Sequence, residues 1–343
     1  MWIKADTIND LPAGIWDATV GRGRACLDSR LFRVAEEMFP RNGFRYFLKT
    51  EGGEPAALFM AMLGEDTPFF GVEGLDGKVF RTAATGTPET TGCHFWYDPT
   101  RMSMRDFLRE SLTEIAGSGW KFDVVVYRDF IGEETPSARS AFDEFGFRAV
   151  RVLDVSQLTV PQACGTLEEY VSTLKYKYRY QLAQYRAALD PQRYETVTVE
   201  DYLPLLDELY PLYLEVCARA SEYAAAPYPP DYFYRVKEAF GRDAVMVVVM
   251  DRCSGEYLGF MLLLYGAESC VHQYIGFRKI DELFLWHNLT LASVGDAIRK
   301  GIRRIDMGVT HAVAKHKFGA HSLPAWTFVA ETSAVLSRLS GNT

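Results

Sequence analysis

Two stretches of the chain alternate apolar runs with a short polar turn in the way a strand–turn–strand unit does. Residues 44–50 (Phe-Arg-Tyr-Phe-Leu-Lys-Thr) and 55–63 (Pro-Ala-Ala-Leu-Phe-Met-Ala-Met-Leu) flank Gly52-Gly53, and residues 244–250 and 257–264 flank the turn at 251–256. Both second strands are almost wholly apolar, the pattern of strands buried on two faces. Each half then repeats a second order of elements. A helix is stopped by glycine (111–119 and 293–301), and a strand carries one aspartate (Asp123 in 120–126, Asp306 in 302–309). A short helix and Phe-Gly (Phe145-Gly146, Phe318-Gly319) then precede a last strand. Glycine just past the final helical turn is the usual stop signal. The shared order predicts duplication of one α/β module.

The break between the copies falls near 157–166, where Val160-Pro161-Gln-Ala-Cys-Gly165-Thr166 interrupts the pattern. The predicted division is 1–158 and 159–343, with the active cleft in the second part. Thr166-Leu-Glu-Glu169 is a capping box that opens a helix. Leu167, Val171, Leu174, Tyr178, Leu182, Tyr185 and Leu189 recur at spacings of three and four, so one helix is expected to run to about Leu189. On such a helix Lys175, Arg179 and Arg186 fall within about 40° of one another. They are either cations snorkelling beside a buried face or a basic rim for a phosphate-bearing ligand, such as CoA or a tRNA end. Helices are also expected at 199–219 and 231–240, joined by a Pro- and Tyr-rich loop at 221–230.

Composition narrows the functional classes. A length of 343 residues accommodates two domains, and 48% hydrophobic with 24% charged residues is enough for two globular cores. The net charge of −8 excludes a global electrostatic footprint for nucleic acid. No run approaches the roughly 18 apolar residues of a membrane span. The opening Met-Trp-Ile-Lys-Ala-Asp lacks the pattern of a secretory signal, so a cytoplasmic location is expected. The scattered cysteines form no Cys-x-x-Cys and read as reduced thiols. No nucleophile elbow, phosphate-binding loop, dinucleotide fingerprint or His-Glu-x-x-His metal motif occurs, and no metal is called for.

Residues 289–326 carry a more specific pattern. Ala297, Ile298, Gly301, Asp306 and Gly308 mark a helix–strand junction, and Lys315, Phe318, Gly319 and Ala320 follow. This arrangement resembles the Fem-like, BioF-type branch of the GNAT N-acyltransferase superfamily. The basic helix with Leu174-Lys-Tyr-Lys-Tyr-Arg179 is similar to the one that opens the second module there. The resemblance covers roughly 165–330 and reaches the first half only through the repeat. It implies two tandem GNAT-like α/β modules with mixed sheets, and acyl transfer from acyl-CoA, an acyl-carrier protein or aminoacyl-tRNA as co-substrate. No tightly bound cofactor is implied. The chain departs from the common GNAT donor signature, Gln/Arg-x-x-Gly-x-Gly/Ala. Residues 276–287 hold no such glycine pair, and Arg278 and Lys279 would supply charge where backbone amides usually do.

By the resemblance, donor and acceptor meet where strands near 270–277 and 303–309 splay apart. His272 and Tyr274 alternate with Gln273 and Ile275, which predicts a shared strand face. Tyr274 would protonate a leaving group and His272 would take a proton, or each is simply a satisfied sheet residue. Asp306 would bind the acceptor amine or play a structural part, and its recurrence as Asp123 favours the latter. In peptidoglycan-bridge members of the branch, the lysine matching Lys315 is associated with acceptor phosphates. Lys315, Lys317, His311 and His321 form a local basic cluster, for an anion or for solvent. Trp286 and His287 would line a donor pocket or pack in the core. Three readings result: N-acyl transfer from a thioester to a small-molecule amine, aminoacyl-tRNA-dependent transfer, and non-catalytic ligand binding.

Overall fold

The computed structural model describes residues 1–340 apart from 13, 21–24, 69–76, 88, 90, 133 and 221–225. In chain order the first elements are β1 (Trp2–Ala5), α1 (Ile15–Val20), α2 (Ser29–Met38), β2 (Gly43–Glu51), β3 (Glu54–Pro68), β4 (Val79–Thr85) and β5 (Phe95–Tyr97). They continue with α3 (Met104–Ala116), β6 (Val124–Ile131), α4 (Glu134–Glu144), β7 (Arg148–Arg151) and β8 (Val155–Thr159). Next come α5 (Leu167–Thr173), α6 (Tyr176–Ala188), β9 (Tyr194–Val199), α7 (Leu206–Arg219), α8 (Pro230–Phe240), β10 (Ala244–Asp251), β11 (Tyr257–Tyr265) and β12 (Ser269–Phe277). The last are α9 (Leu285–Arg299), β13 (Arg304–Asp306), α10 (Ala312–His316), β14 (His321–Leu323), β15 (Ala325–Glu331) and α11 (Thr332–Leu339). Among the described residues no helix is long and apolar enough to cross a membrane.

Two sheets organise the chain. One has the order β1-β2-β3-β4-β6-β15-β7, with β5 beside β3, and the other has the order β9-β10-β11-β12-β13-β8-β14. Read from β1 and from β9, they follow one plan. Four strands run antiparallel, a parallel pair joins the fourth to the fifth (β4 with β6, β12 with β13), and antiparallel pairing resumes beyond it.

The sixth place in each sheet is filled reciprocally. β8 follows β7 in sequence yet lies between β13 and β14, and β15 follows β14 yet lies between β6 and β7. The compact units are therefore Met1–Leu153 with Pro324–Thr343, and Asp154–Leu323. The expected cut at 158/159 misses both exchanges. A strand's sheet is chosen by long-range pairing, which a break in local pattern does not report.

The first unit is held by stacked aromatic rings. Phe142 and Phe328 lie parallel with centroids 4.0 Å apart, and Phe47 and Phe59 stack at 4.3 Å. In the second unit Val245, Val247, Val249, Met261, Leu263 and Ile305 bury one sheet face beneath Leu289, Val294 and Ala297 of α9. Each such side chain contributes about 1.5–3 kcal/mol on burial.

Three local expectations are corrected. The helix predicted from Thr166 to Leu189 is two helices, with Leu174 in extended backbone (ψ 159°) between them. The Thr166–Glu169 capping box is present. Ser172 and Thr173 turn their hydroxyls back onto the carbonyls of Glu169 and Tyr170, which weakens continuation of the helix. The helix expected from 199 begins only at Leu206, because 194–199 (Tyr-Glu-Thr-Val-Thr-Val) is β-branched and pairs with β10, and Pro204 lies in a 3-10 turn before α7. Of the predicted loop, 221–225 lies outside the described residues, and Pro230 already begins α8.

Candidate functional site

In the second unit β12 and β13 run parallel only from Ser269 opposite Arg304 to Val271 opposite Asp306. Beyond that point β12 stays with β11 as far as Phe277. The chain after Asp306 leans onto β8 instead, through Met307 N–H to Ser156 O (2.9 Å) and Ser156 N–H to Gly308 O (3.0 Å). The expected opening is thus present, and Val271 and Asp306 form its base.

Asp306 does not repeat Asp123. Thr332 N–H bonds Asp123 O in the first unit where Val160 N–H bonds Arg303 O in the second, so Asp123 corresponds to Arg303 and Asp306 to Val126. Asp123 is an exposed residue just before its strand, 3.6 Å from Arg81. Asp306 stands at the far end of its own strand.

Three titratable groups gather at the opening. Asp306 Oδ1 accepts the Gly308 N–H at 2.8 Å, and Lys315 Nζ donates to the Gly308 carbonyl at 3.1 Å. Gly308 has φ +74°, the left-handed backbone that glycine adopts without strain. Burial raises the Asp306 carboxyl above the usual range, while the Gly308 N–H and the Lys315 cation draw it back. Lys315, on α10, is 5% exposed, an unusual degree of burial for lysine. His272 is pushed down to about 3, mainly by burial and then by Lys315, so its imidazole is neutral at physiological pH. Its Nε2 lies 3.0 Å from Ser293 Oγ on α9.

Tyr274 departs from the expectation of a face shared with His272. The pairing of β11 with β12 slips between Leu262, opposite Tyr274, and Leu263, opposite His272, leaving Gln273 as a bulge. His272 therefore faces α9, whereas the Tyr274 ring packs within 5.4–5.6 Å of Tyr213 on α7, Tyr228 in the segment before α8 and Tyr232 on α8. Gln273 donates to the Tyr232 hydroxyl at 2.9 Å.

The remaining candidates divide into two places. Trp286 lies 6.4 Å from His311 and 5.6 Å from Phe318, and His287 lies 4.0 Å from Tyr185 with the rings tilted by 37°; the Tyr185 hydroxyl accepts from Lys317 at 3.0 Å. Burial, with Lys317 second, pushes His287 down to about 4. Arg278 and Lys279 are exposed after β12, and Arg278 reaches Glu256 at 3.7 Å. Lys175 and Arg179 lie on the exposed side of α6, where Arg179 donates to Ser172 O. His321 is exposed on β14. Among the described residues no group of three or more His, Cys, Asp or Glu side chains is placed to hold a metal ion.

Ser293 escaped the sequence reading. Its one signal is a polar series, Thr290, Ser293 and Asp296, at every third position of a largely apolar helix, all of it buried.

No protein-family model matches the chain, and no curated protein matches its sequence. Solved structures do match its fold. FemX superposes with a TM-score of 0.67 at 13% identity, over 98% of this chain and 99% of its own. The tandem GNAT protein from the clavulanic acid biosynthesis pathway does so with a TM-score of 0.57 at 12% identity, over 97% and 98%. The chain has the tandem GNAT fold. A third structure, L-PGS from Bacillus licheniformis, matches with a TM-score of 0.55 at 14% identity, over 94% of each chain. Each sheet has a parallel strand pair (β4 with β6, β12 with β13). In the second sheet the opening of that pair holds His272, Asp306 and Lys315.

Proposed function

We propose that the protein is an acyltransferase that moves an acyl group from a CoA or carrier-protein thioester to the amine of a small molecule in the cytoplasm. The observation that carries this reading is a buried lysine beside a neutral histidine at the mouth of a parting parallel strand pair, in a fold shared with a tandem GNAT protein. Amide formation requires an unprotonated attacking amine, stabilisation of the oxyanion and a proton for the leaving group. In this reading His272 accepts the amine proton, Lys315 places positive charge by the oxyanion, and Asp306 orients Lys315 through the backbone of Gly308 or receives the amine. Tyr274, on the other face of β12, borders the acceptor. Trp286, His287, His311 and Lys317 border the donor, with Arg278 and Lys279 at its outer rim.

A second reading, transfer from aminoacyl-tRNA, is favoured by α6. This helix carries no acidic residue, and Lys175, Lys177 and Arg179 accompany two exposed rings, Tyr176 and Tyr180. Cations interleaved with aromatics suit a single-stranded nucleic-acid end. The likeness to FemX is of fold.

Donor binding tests both. Protein titrated separately with CoA thioesters and with charged tRNA is followed by thermal stability. A ligand of the folded state adds about 2.7 kcal/mol at a hundredfold excess over Kd. Stabilisation by CoA species supports the first reading, retention of one charged tRNA replaces it with the second, and silence from both leaves a carrier-protein donor or a ligand-binding role.

A further inference from the structure

The hydroxyl of Ser293 has a single proton, and two neighbours compete for it. Ser293 Oγ lies 2.8 Å from the Thr290 carbonyl oxygen and 3.0 Å from His272 Nε2. A carbonyl oxygen only accepts, so an oxygen–oxygen separation of 2.8 Å requires the Ser293 proton between the two atoms. The same habit recurs one turn earlier, where the Thr290 hydroxyl donates to Trp286 O at 2.8 Å. With its proton committed, Ser293 meets His272 with a lone pair. The bond closes only if Nε2 carries hydrogen. Burial and the neighbouring Lys315 cation keep the imidazole neutral, so it holds one proton, and Nδ1 is left with the basic lone pair.

We propose that Ser293 is a positioning residue that fixes His272 in the Nε2–H tautomer, making Nδ1 the ring atom that accepts a proton. The use of Nδ1 in catalysis rests on the acyl-transfer reading; the tautomer does not. In that step the amine lone pair forms the carbon–nitrogen bond. The bond from the acyl carbon to sulfur, or to the ester oxygen, breaks with its electron pair on the leaving atom. The N–H proton passes to Nδ1, and the leaving atom recovers it. The products are an amide and a thiol or alcohol, and His272 returns to its starting state. Ser293 holds the imidazole at the right nitrogen and angle throughout, without touching substrate.

The test needs no substrate. Protein labelled with ¹⁵N-histidine is examined at neutral pH by long-range ¹H–¹⁵N correlation, with His272→Gln assigning the ring. The expected spectrum shows a protonated Nε2 and an unprotonated Nδ1 for His272. In Ser293→Ala the two nitrogen signals move toward an average, while Ser293→Thr keeps the fixed tautomer. An Nδ1–H tautomer, a charged imidazolium, or an unchanged spectrum in Ser293→Ala overturns the proposal. Once a donor and acceptor are known, Ser293→Ala is expected to lower kcat about tenfold with KM little changed, the effect of one lost positioning bond. A fixed Nε2–H tautomer with kinetics indifferent to His272→Gln would overturn the catalytic reading alone and leave the tautomer standing.

Discussion

Asp306 and Lys315 hold the two backbone polar groups of one residue, Gly308: the carboxylate accepts its N–H at 2.8 Å and the ammonium donates to its carbonyl at 3.1 Å. The strand end and the short helix that follows it are thereby tied across a left-handed glycine. Lys315→Met keeps the apolar stem and removes the donor. It is expected to cost about 1–3 kcal/mol, the penalty of weakening a buried polar contact. Urea titration measures it. Transfer activity should fall much further than stability does, and a variant that folds less well but transfers normally would make Lys315 purely structural.

Tyr274 offers a cleaner separation of packing from chemistry. Tyr274→Phe preserves the ring among Tyr213, Tyr228 and Tyr232, so unfolding free energy should change by less than about 1 kcal/mol. If the hydroxyl protonates the leaving group, kcat drops by roughly 10²–10⁴. If the residue only borders the acceptor, KM moves and kcat holds.

Gly276 lies where β12 meets α7. A Cβ there would fall on the Phe260 ring and on the backbone at Leu212 and Tyr213. Because backbone cannot swing aside as a flexible side chain does, Gly276→Ala should destabilise the second unit by ~3 kcal/mol. Chemical denaturation followed by the fluorescence of Trp286, the one tryptophan in Asp154–Leu323, reads this directly.

Removing 324–343 deletes β15 from between β6 and β7 and takes Phe328 out of the aromatic core. The first unit should lose its cooperative transition, seen in its own tryptophans, while the Trp286 signal keeps a folded baseline. A truncated chain whose two signals both survive would contradict the strand assignment.

His94 is fully buried in the first unit, and burial, followed by the Arg128 charge, pushes it down to about 3. Its unfolded value is near 6.5. Between these limits the unfolded chain binds a proton that the folded chain does not, so stability falls as pH drops from about 6.5 toward 3. The slope is roughly 1.4 kcal/mol per pH unit for this residue. The raised carboxyl of Asp129 works in the opposite sense. Comparing wild type with His94→Gln at each pH isolates the histidine: the variant should lose less stability on acidification.

Much of this protein could be read from local pattern. The duplicated strand–turn–strand units, the glycine-stopped helices and the Thr166 capping box depend on periodicity and on residues a few positions apart, and these act before any tertiary contact forms. Asp306 and Lys315 stood out through the resemblance of 289–326 to the Fem-like branch, and His272 through the strand that the resemblance sets beside it. Tertiary pairing decided the rest. Which sheet takes β8 and β15 depends on partners far away in sequence. The bulge at Gln273 reverses the face of Tyr274 relative to His272, because one extra residue in a ladder inverts every alternation beyond it. The assignment of Asp306 to a strand end that Asp123 does not share follows from register, and the bond between Ser293 and His272 from the way α9 lies on the sheet. A sequence specifies its periods residue by residue, but register and packing are settled only when distant segments meet.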